Sequence, residues 1–313
     1  MKLQQFRYLT EVARCNLNVS EAAVALHTSQ PGVSKQIKLL ENELGVTVFE
    51  RSGKRLVRVT EAGRAILDIA QRILREADNM KRVGDEFADG ESGSLVIATT
   101  HTQARYALPS VVARFVEKHP RVRLSMHQGS PTQIAEWTLK GEADIAIATE
   151  ALDQYPQLLM LPCHQWTHCV IAPQGHPILD GRPLSLAELA RWPLITYDSA
   201  FAGRSRINSA FERAQLVPNV VLAAIDADVI KTYVNLNLGL GIIAHQAYDA
   251  ARDAGLVALE AGQLFGSNTT RIGLCRGNHI RRFEYDFIEL FAPQLTRRAV
   301  DMAIAGQGDE YQL

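Results

Sequence analysis

Gln30, Ser34, Lys35, Gln36 and Lys38 can share the outer face of one short helix, with Thr28, Ser29 and Pro31 at its start. Such a face suits DNA: Gln pairs with adenine edges in the major groove, and Lys, Ser and Thr anchor phosphates. A second set, Thr99, Thr100, His101, Thr102 and Gln103, falls where an apolar run ends and a helical pattern begins. Hydroxyls there sit beside free backbone N–H groups and the positive end of a helix, a ready site for a small anion. Ser130 and Thr132 repeat the arrangement after the next apolar run, and Thr149 ends the one after that. Further on, Thr196, Tyr197 and Ser199 precede a helical stretch containing Arg204. Any single Ser or Thr of this kind is commonly just a helix cap. Three such termini converging on one edge point to a ligand.

The first set needs a helix-turn-helix to hold it. Val19, Ala22, Ala23 and Leu26 recur at i, i+3, i+4 and i+7, giving one short helix an apolar face. Asn18 is its predicted cap, with Glu21 completing a capping box. The helix stops at His27-Thr28-Ser29, and the next opens with Pro31 in its first turn. Val33, Ile37, Leu40 and Leu44 form the buried stripe of this recognition helix. Leu3, Phe6, Leu9, Val12 and Ala13 predict an amphipathic helix beneath the pair. Val46-Thr47-Val48-Phe49 and Leu56-Val57-Arg58-Val59 then read as a hairpin about a basic turn. Beside a helix-turn-helix that hairpin is a wing, whose Arg51, Lys54 and Arg55 would lie near phosphates or the minor groove. A plain helical hairpin followed by a solvated turn is the alternative.

Thr60 caps a long helix in which Ile66, Ile69, Ile73, Met80, Val83 and Phe87 follow a heptad seam if Glu76 takes one position. The seam predicts pairing of two chains. Gly84 to Gly93 has no apolar period and reads as a polar hinge. Beyond it the texture changes. Leu95–Ala98, Val122–Met126, Asp144–Ala148 and Val220–Ala224 read as buried strands, interleaved with helical patterns around 108–117, 133–140, 186–190, 207–214 and 229–236. Alternation of this kind means an open α/β sheet with ligands beyond the strands' carboxyl ends. The expected organisation is a winged helix-turn-helix over residues 1–59, a linker and dimerisation helix with its hinge over 60–92, and a two-lobed α/β effector-binding domain over 93–296. Lobe I would hold about 93–162 and 267–296, lobe II about 163–266, and 297–313 would be a peripheral tail with frayed last residues.

Composition agrees with this division. The chain has 313 residues, 47% of them hydrophobic, and a formal net charge of −1. That charge is uneven: residues 1–60 carry nine basic and five acidic side chains, which leaves the remainder acidic. A basic module on an acidic body is expected where only one part touches phosphate. Cys15, Cys163, Cys169 and Cys275 are scattered, so they read as reduced thiols. With no signal peptide and no apolar run of about 18 residues, a soluble cytoplasmic protein without membrane contact is expected. Three motifs are set aside. Gly239-Leu-Gly241-Ile-Ile-Ala244 follows a helix rather than a strand, so it reads as a glycine helix stop rather than a dinucleotide fingerprint. Cys163 and Cys169, with His164 and His168 between, would stand roughly 20 Å apart on a continuous strand, too far to share zinc. Asn18 and Asn268 match a glycosylation pattern that is idle inside a cell.

Residues 1–60, the pairing helix and the two-lobed body together resemble a LysR-type transcriptional regulator over essentially the whole chain. Four blocks narrow the likeness: ATTHTQARYALP from Ala98, HQGSPTQIAE from His127, ADIAIATEAL from Ala143 and DADVIKTYV from Asp226. They resemble the branch of that family which activates sulfate assimilation and cysteine synthesis genes. The resemblance implies a periplasmic-binding-protein-like effector domain and a homodimer or homotetramer on double-stranded promoter DNA, working with RNA polymerase. It also implies acetylserine as inducer, with sulfate or reduced sulfur anions in the same cleft, and no cofactor or metal. Thr100, Thr102, Gln103, Ser130, Thr132, Thr149, Thr196 and Ser199 are then the effector candidates. Where the branch usually has another Thr between Thr196 and Arg204, this chain has Ala202. A close paralogue sensing sulfur supply through another ligand is the neighbouring alternative. From a different class, an enzyme acting on the same anion with a fused DNA-binding module should show a nucleophile with a base, a metal set or a carboxylate pair, and the cleft-forming blocks contain none.

Overall fold

A computed structural model describes residues 1–306 apart from Lys54, Gly90, Glu91, Glu150, Ala151, Asp153, Arg182, Ala200 and Ala202. The wing residue Lys54, the substituted position Ala202, the hinge residues Gly90 and Glu91, and the tail from 307 therefore lie outside the described residues. Two compact units emerge: Met1–Ala88 with Gly277–His279, and Asp89–Arg276 with Ile280–Leu313.

In the first unit, α1 (Leu3–Arg14), α2 (Val19–Ala25) and α3 (Gln30–Leu44) bury Leu9, Val12, Ala22, Val33, Ile37 and Leu40 in one core. The Asn18 side chain caps α2, accepting from the N–H groups of Ser20 and Glu21. The N–H of Asn18, which the expected capping box would pair with Glu21, instead donates to the Cys15 carbonyl at 2.9 Å. Ser29 caps α3, and Gly45, at φ 70°, ends it in the left-handed conformation. β1 (Phe49–Ser52) and β2 (Arg55–Val59) form the antiparallel wing. Its first strand starts at Phe49 rather than at Val46. The N–H groups of Val48 and Phe49 are held by the buried Glu41 carboxylate at 2.9 and 3.1 Å, so the chain is anchored to α3 before the ladder begins.

The Thr60 hydroxyl caps α4 (Glu61–Asp89), accepting from Gly63 N–H at 2.8 Å. At Gly63 the backbone of α4 comes close to the segment before the wing, since a Cβ there would stand 2.2 Å from the Val48 oxygen. Two apolar stripes run along α4. Leu67 and Ala70, with Ile66 and Leu74 partly covered, complete the helix-turn-helix core. Ile69, Ile73, Met80 and Phe87 lie on the exposed side. Ile66, expected on the pairing seam, thus belongs to the module's own core. The expected hinge is also shorter, because α4 continues through Gly84, Asp85 and Glu86 to Asp89. A helix needs no apolar period to persist, and one exposed Gly costs only about 1 kcal/mol.

In the second unit the chain runs β3 (Gly93–Thr99), α5 (Pro109–Lys118), β4 (Val122–Gln128), α6 (Pro131–Leu139), β5 (Ile145–Ala148) and then the long β6 (Leu158–Pro173). It continues through α7 (Leu186–Leu189), β7 (Pro193–Tyr197), α8 (Arg204–Arg213), β8 (Asn219–Ala224), α9 (Ala227–Asn235), β9 (Leu240–Ala244), β10 (Leu256–Glu260) and α10 (Gly262–Phe265). β11 (Ser267–Cys275), α11 (Arg282–Phe291) and α12 (Arg297–Ile304) complete it. The strand order is β4-β3-β5-β11-β6-β9-β7-β8, with β10 also on β6. β6 joins the lobes. From Leu158 to Thr167 it pairs with β11, and from His168 onward with β9 and β10. Lobe I closes around Ile97, Phe115, Ile147, Leu161 and Phe287, and lobe II around Ile171, Ile195, Ile230 and Ile243 on one side and Val170, Leu194, Phe211 and Ile242 on the other.

Two expectations are corrected here. The described part of the tail, 297–306, is not peripheral, since α12 places Val300, fully buried, in the lobe I core with Phe291 and Leu295. Gly239 is not the stop of α9. The helix ends before Asn237, at φ 60°, whereas Gly239 allows a close approach in which a Cβ would meet the Pro193 oxygen at 2.5 Å. Among the described residues, no helix is long and apolar enough to cross a membrane.

Candidate functional site

The candidate DNA-reading face is set by how α3 packs. With Val33, Ile37 and Leu40 turned inward, Gln30, Pro31, Lys35 and Lys38 are exposed and Ser34 is half-buried, while Thr28 and Ser29 stand exposed at the helix start. The Gln30 amide donates to the Ser34 hydroxyl at 3.3 Å, which steadies the pair in one orientation. In the wing, Arg55 is exposed, whereas Arg51 lies 3.7 Å from Glu41. Glu41 was missed from sequence, because nothing in its spacing marks a carboxylate that turns inward to backbone N–H groups. Its carboxylate ties the wing to the recognition helix through two backbone N–H groups and Arg51. Arg58 makes a two-pronged bond to Glu50 at 2.6 Å on each arm, an exposed pair across the hairpin.

The second candidate site lies at the carboxyl ends of β3, β4 and β5. These strands are neighbours and parallel, so the residues just past each strand fall on a common edge. Thr100 and Gln103 are buried there, and Thr102 is partly covered. Thr149, directly after β5, is also buried, and its hydroxyl has no partner among the described residues. The Gln103 amide donates to Thr270 of β11 at 2.9 Å, which brings Thr270 into the group. Thr270 was not anticipated, because its strand went unrecognised. Thr99 is not available to a ligand: its hydroxyl donates to the Ile147 carbonyl within the sheet.

Other predicted residues separate from this group. Ser130 is engaged at the start of α6 in a reciprocal cap with Gln133, and Thr132 is exposed on the first turn. Thr196 lies inside the lobe II sheet, its hydroxyl donating to the Ile242 carbonyl at 3.3 Å, and Ser199 is exposed. From lobe II it is Tyr197 that reaches across, its phenol sharing a hydrogen bond with Thr102 and accepting one from Ala244 N–H. Burial pushes the pKa of that phenol up, so it stays neutral. Arg204 donates to the Tyr197 carbonyl and to Asn208. Trp166 on β6, packed with Tyr106 and Phe201 against lobe II, has a buried indole N–H without a partner among the described residues. A buried donor with no acceptor costs about 1–3 kcal/mol, so Thr149 and Trp166 are where an incoming acceptor gains most. The donors nearest the strand ends are neutral hydroxyls and amides, which suits a small anion held by several hydrogen bonds.

Cys163 and Cys169 stand on the single continuous strand β6, and burial pushes both thiols up to about 12. They are poor nucleophiles in that state.

Known proteins resemble the chain along its whole length. Residues 3–64 match the family described as "Bacterial regulatory helix-turn-helix protein, lysR family", and residues 88–306 match "LysR substrate binding domain". The chain is 52% identical over 313 residues to the HTH-type transcriptional regulator CysB of Burkholderia cenocepacia, covering 100% of both. It is 53% identical over 300 residues to the HTH-type transcriptional regulator SsuR of the same organism, covering 96% of this chain and 97% of that one. The crystal structure of the cofactor-binding domain of the Cbl transcriptional regulator superposes with a TM-score of 0.66 at 45% identity, covering 68% of this chain and 93% of that chain.

Proposed function

Because the chain belongs to the LysR family of bacterial helix-turn-helix transcriptional regulators, in the group that includes CysB, SsuR and Cbl, we propose that it activates sulfate assimilation and cysteine synthesis genes under control of a small anion such as acetylserine or sulfate. Gln30 and Ser34 read base edges, while Lys35, Lys38, Lys54 and Arg55 hold phosphates, with Thr28, Ser29 and Pro31 at the helix start against the backbone. Arg51 serves the wing through Glu41 first. Two chains pair through Ile69, Ile73 and Met80 of α4, pairs of chains form a tetramer, and the DNA-bound assembly works with RNA polymerase.

The observation that carries the effector reading is the buried Thr149 hydroxyl, without a partner among the described residues, at the end of β5 beside the end of β3 that carries Thr100, Thr102 and Gln103. A carboxylate or sulfate leaving water needs several donors, each worth about 1.5–3 kcal/mol toward a charge. An SsuR-like regulator taking another sulfur anion in the same cleft is the second reading, favoured by the near-equal likeness to SsuR. Thr149→Val, which keeps the shape and removes the hydroxyl, separates a ligand role from a structural one. Calorimetry of the full chain should show acetylserine or sulfate binding about ten- to a hundredfold more weakly. Thermal stability should be unchanged or slightly raised, since an unsatisfied buried group is gone. Unaltered affinity would place the effector elsewhere.

A further inference from the structure

A second polar cluster joins the two lobes beside the strand ends. The segment after β3 that carries Thr102 and Gln103 continues as a turn of π-helix, Gln103–Ala107. This wide turn, a form frequent at functional sites, presents Arg105 and Tyr106 toward α9 of lobe II. The Tyr106 hydroxyl donates to Asp228 Oδ1 at 2.5 Å, and Arg105 Nε donates to Asp228 Oδ2 at 3.1 Å. His101 Nε2 stands 3.7 Å from the same carboxylate. Behind them the nearly buried Lys231 ammonium donates to the Tyr106 oxygen at 3.2 Å, pairs with Asp253 at 2.9 Å and lies over the Tyr106 ring.

The fold of lobe II does not require Asp228 to point this way. Asp226 already caps α9, accepting from Val229 N–H at 2.8 Å, so the Asp228 carboxylate, 3.8 Å from Lys231 on its own helix, is open to donors from lobe I. His101, Asp226 and Asp228 come within ligand reach of a metal ion. The cap on Asp226 and the arginine on Asp228 make the cluster an ion-pair network rather than a cation site. Burial raises the Asp228 pKa, but the Tyr106 bond and the Lys231 and Arg105 charges outweigh it and hold the pKa below the usual carboxylate range.

We propose that Asp228 is the acceptor of an interlobe clasp, in which Tyr106 and Arg105 hold the cleft closed and so set how tightly the effector is retained. The clasp acts through position: Tyr106 and Gln103 share one π-turn, so freeing Tyr106 from Asp228 loosens the turn that holds Gln103 against Thr270. This inference rests on the effector-cleft reading, and its test keeps the two apart.

Amide hydrogen exchange of the effector-free full chain reads closure without any ligand. Tyr106→Phe and Asp228→Asn should each speed exchange in both the 100–107 and 227–235 segments by about tenfold, the worth of one charge-assisted hydrogen bond. The double variant should be no faster than Asp228→Asn alone, because that substitution already weakens the bond that Tyr106→Phe removes. With acetylserine or sulfate added, each variant should release the ligand faster while binding it at the wild-type rate. Exchange unchanged in the lobe that does not carry the substitution, or effects that add in the double variant, would overturn the clasp. Failure of wild type to bind either anion, with the exchange results as expected, would instead overturn the effector reading and leave the clasp standing.

Discussion

His168 shows how one buried side chain records the junction of the lobes. It sits at 0% exposure where β6 leaves lobe I, wedged between Trp166, Phe265 and the Gly203 backbone, with Asn268 Nδ2 at 3.5 Å from Nδ1. Burial, then the nearby Arg206 charge, lowers its pKa from 6.5 to about 4. The folded state thus binds fewer protons than the unfolded state between those values. Stability is full above pH 6.5 and falls as pH drops toward 4, by roughly 2 kcal/mol at pH 5. Urea unfolding at pH 7.5 and pH 5 should show this loss in wild type and a smaller one in His168→Gln; the same pH dependence in both would assign it to other groups. At this scale the sequence was only partly legible. The hydroxyls at the ends of β3 and β5 announced themselves through residue type and position. That Thr196 donates into the sheet and Ser130 closes a cap depends on acceptors brought by the fold, and no spacing rule reveals those.

The long helix α4 carries the argument at the scale of elements. Its periodicity was readable because an exposed helix with one core shows its pattern cleanly. The readable stripe was really two, however, and Ile66 belongs to the core shared with Leu67 and Ala70. Ile69, Met80 and Phe87 remain 46%, 77% and 89% exposed in the single chain. An isolated chain tolerates a charge at Ile69, whereas a paired seam buries it at a cost of several kcal/mol. Ile69→Glu should therefore sediment as a monomer with its helical circular dichroism intact. A variant that stays dimeric would move the pairing contact elsewhere. The strands β6 and β11 escaped the sequence reading for a related reason. Each serves more than one partner strand and is buried over part of its length, so its alternation breaks and an apolar run no longer distinguishes strand from helix. α12 was missed because one buried residue, Val300, gives too little period to see.

For the whole molecule, the proposed division of labour is between a basic module that would meet phosphate and an α/β body that would take a small anion. The charge asymmetry, the wing and the alternation of strand and helix made that plan legible, whereas the crossing point of the lobes and the Asp228 cluster needed coordinates. A ligand can alter DNA binding only through a difference in its affinity for two states of the assembly. Quantitative footprinting of the full chain on a sulfate-assimilation promoter, with and without acetylserine, tests this most directly. The expected result is protection far stronger than on random DNA, changed in extent or affinity by acetylserine in wild type and unchanged by it in Thr149→Val. Identical protection of promoter and random DNA, or a wild-type footprint indifferent to acetylserine and to sulfate, would contradict the account.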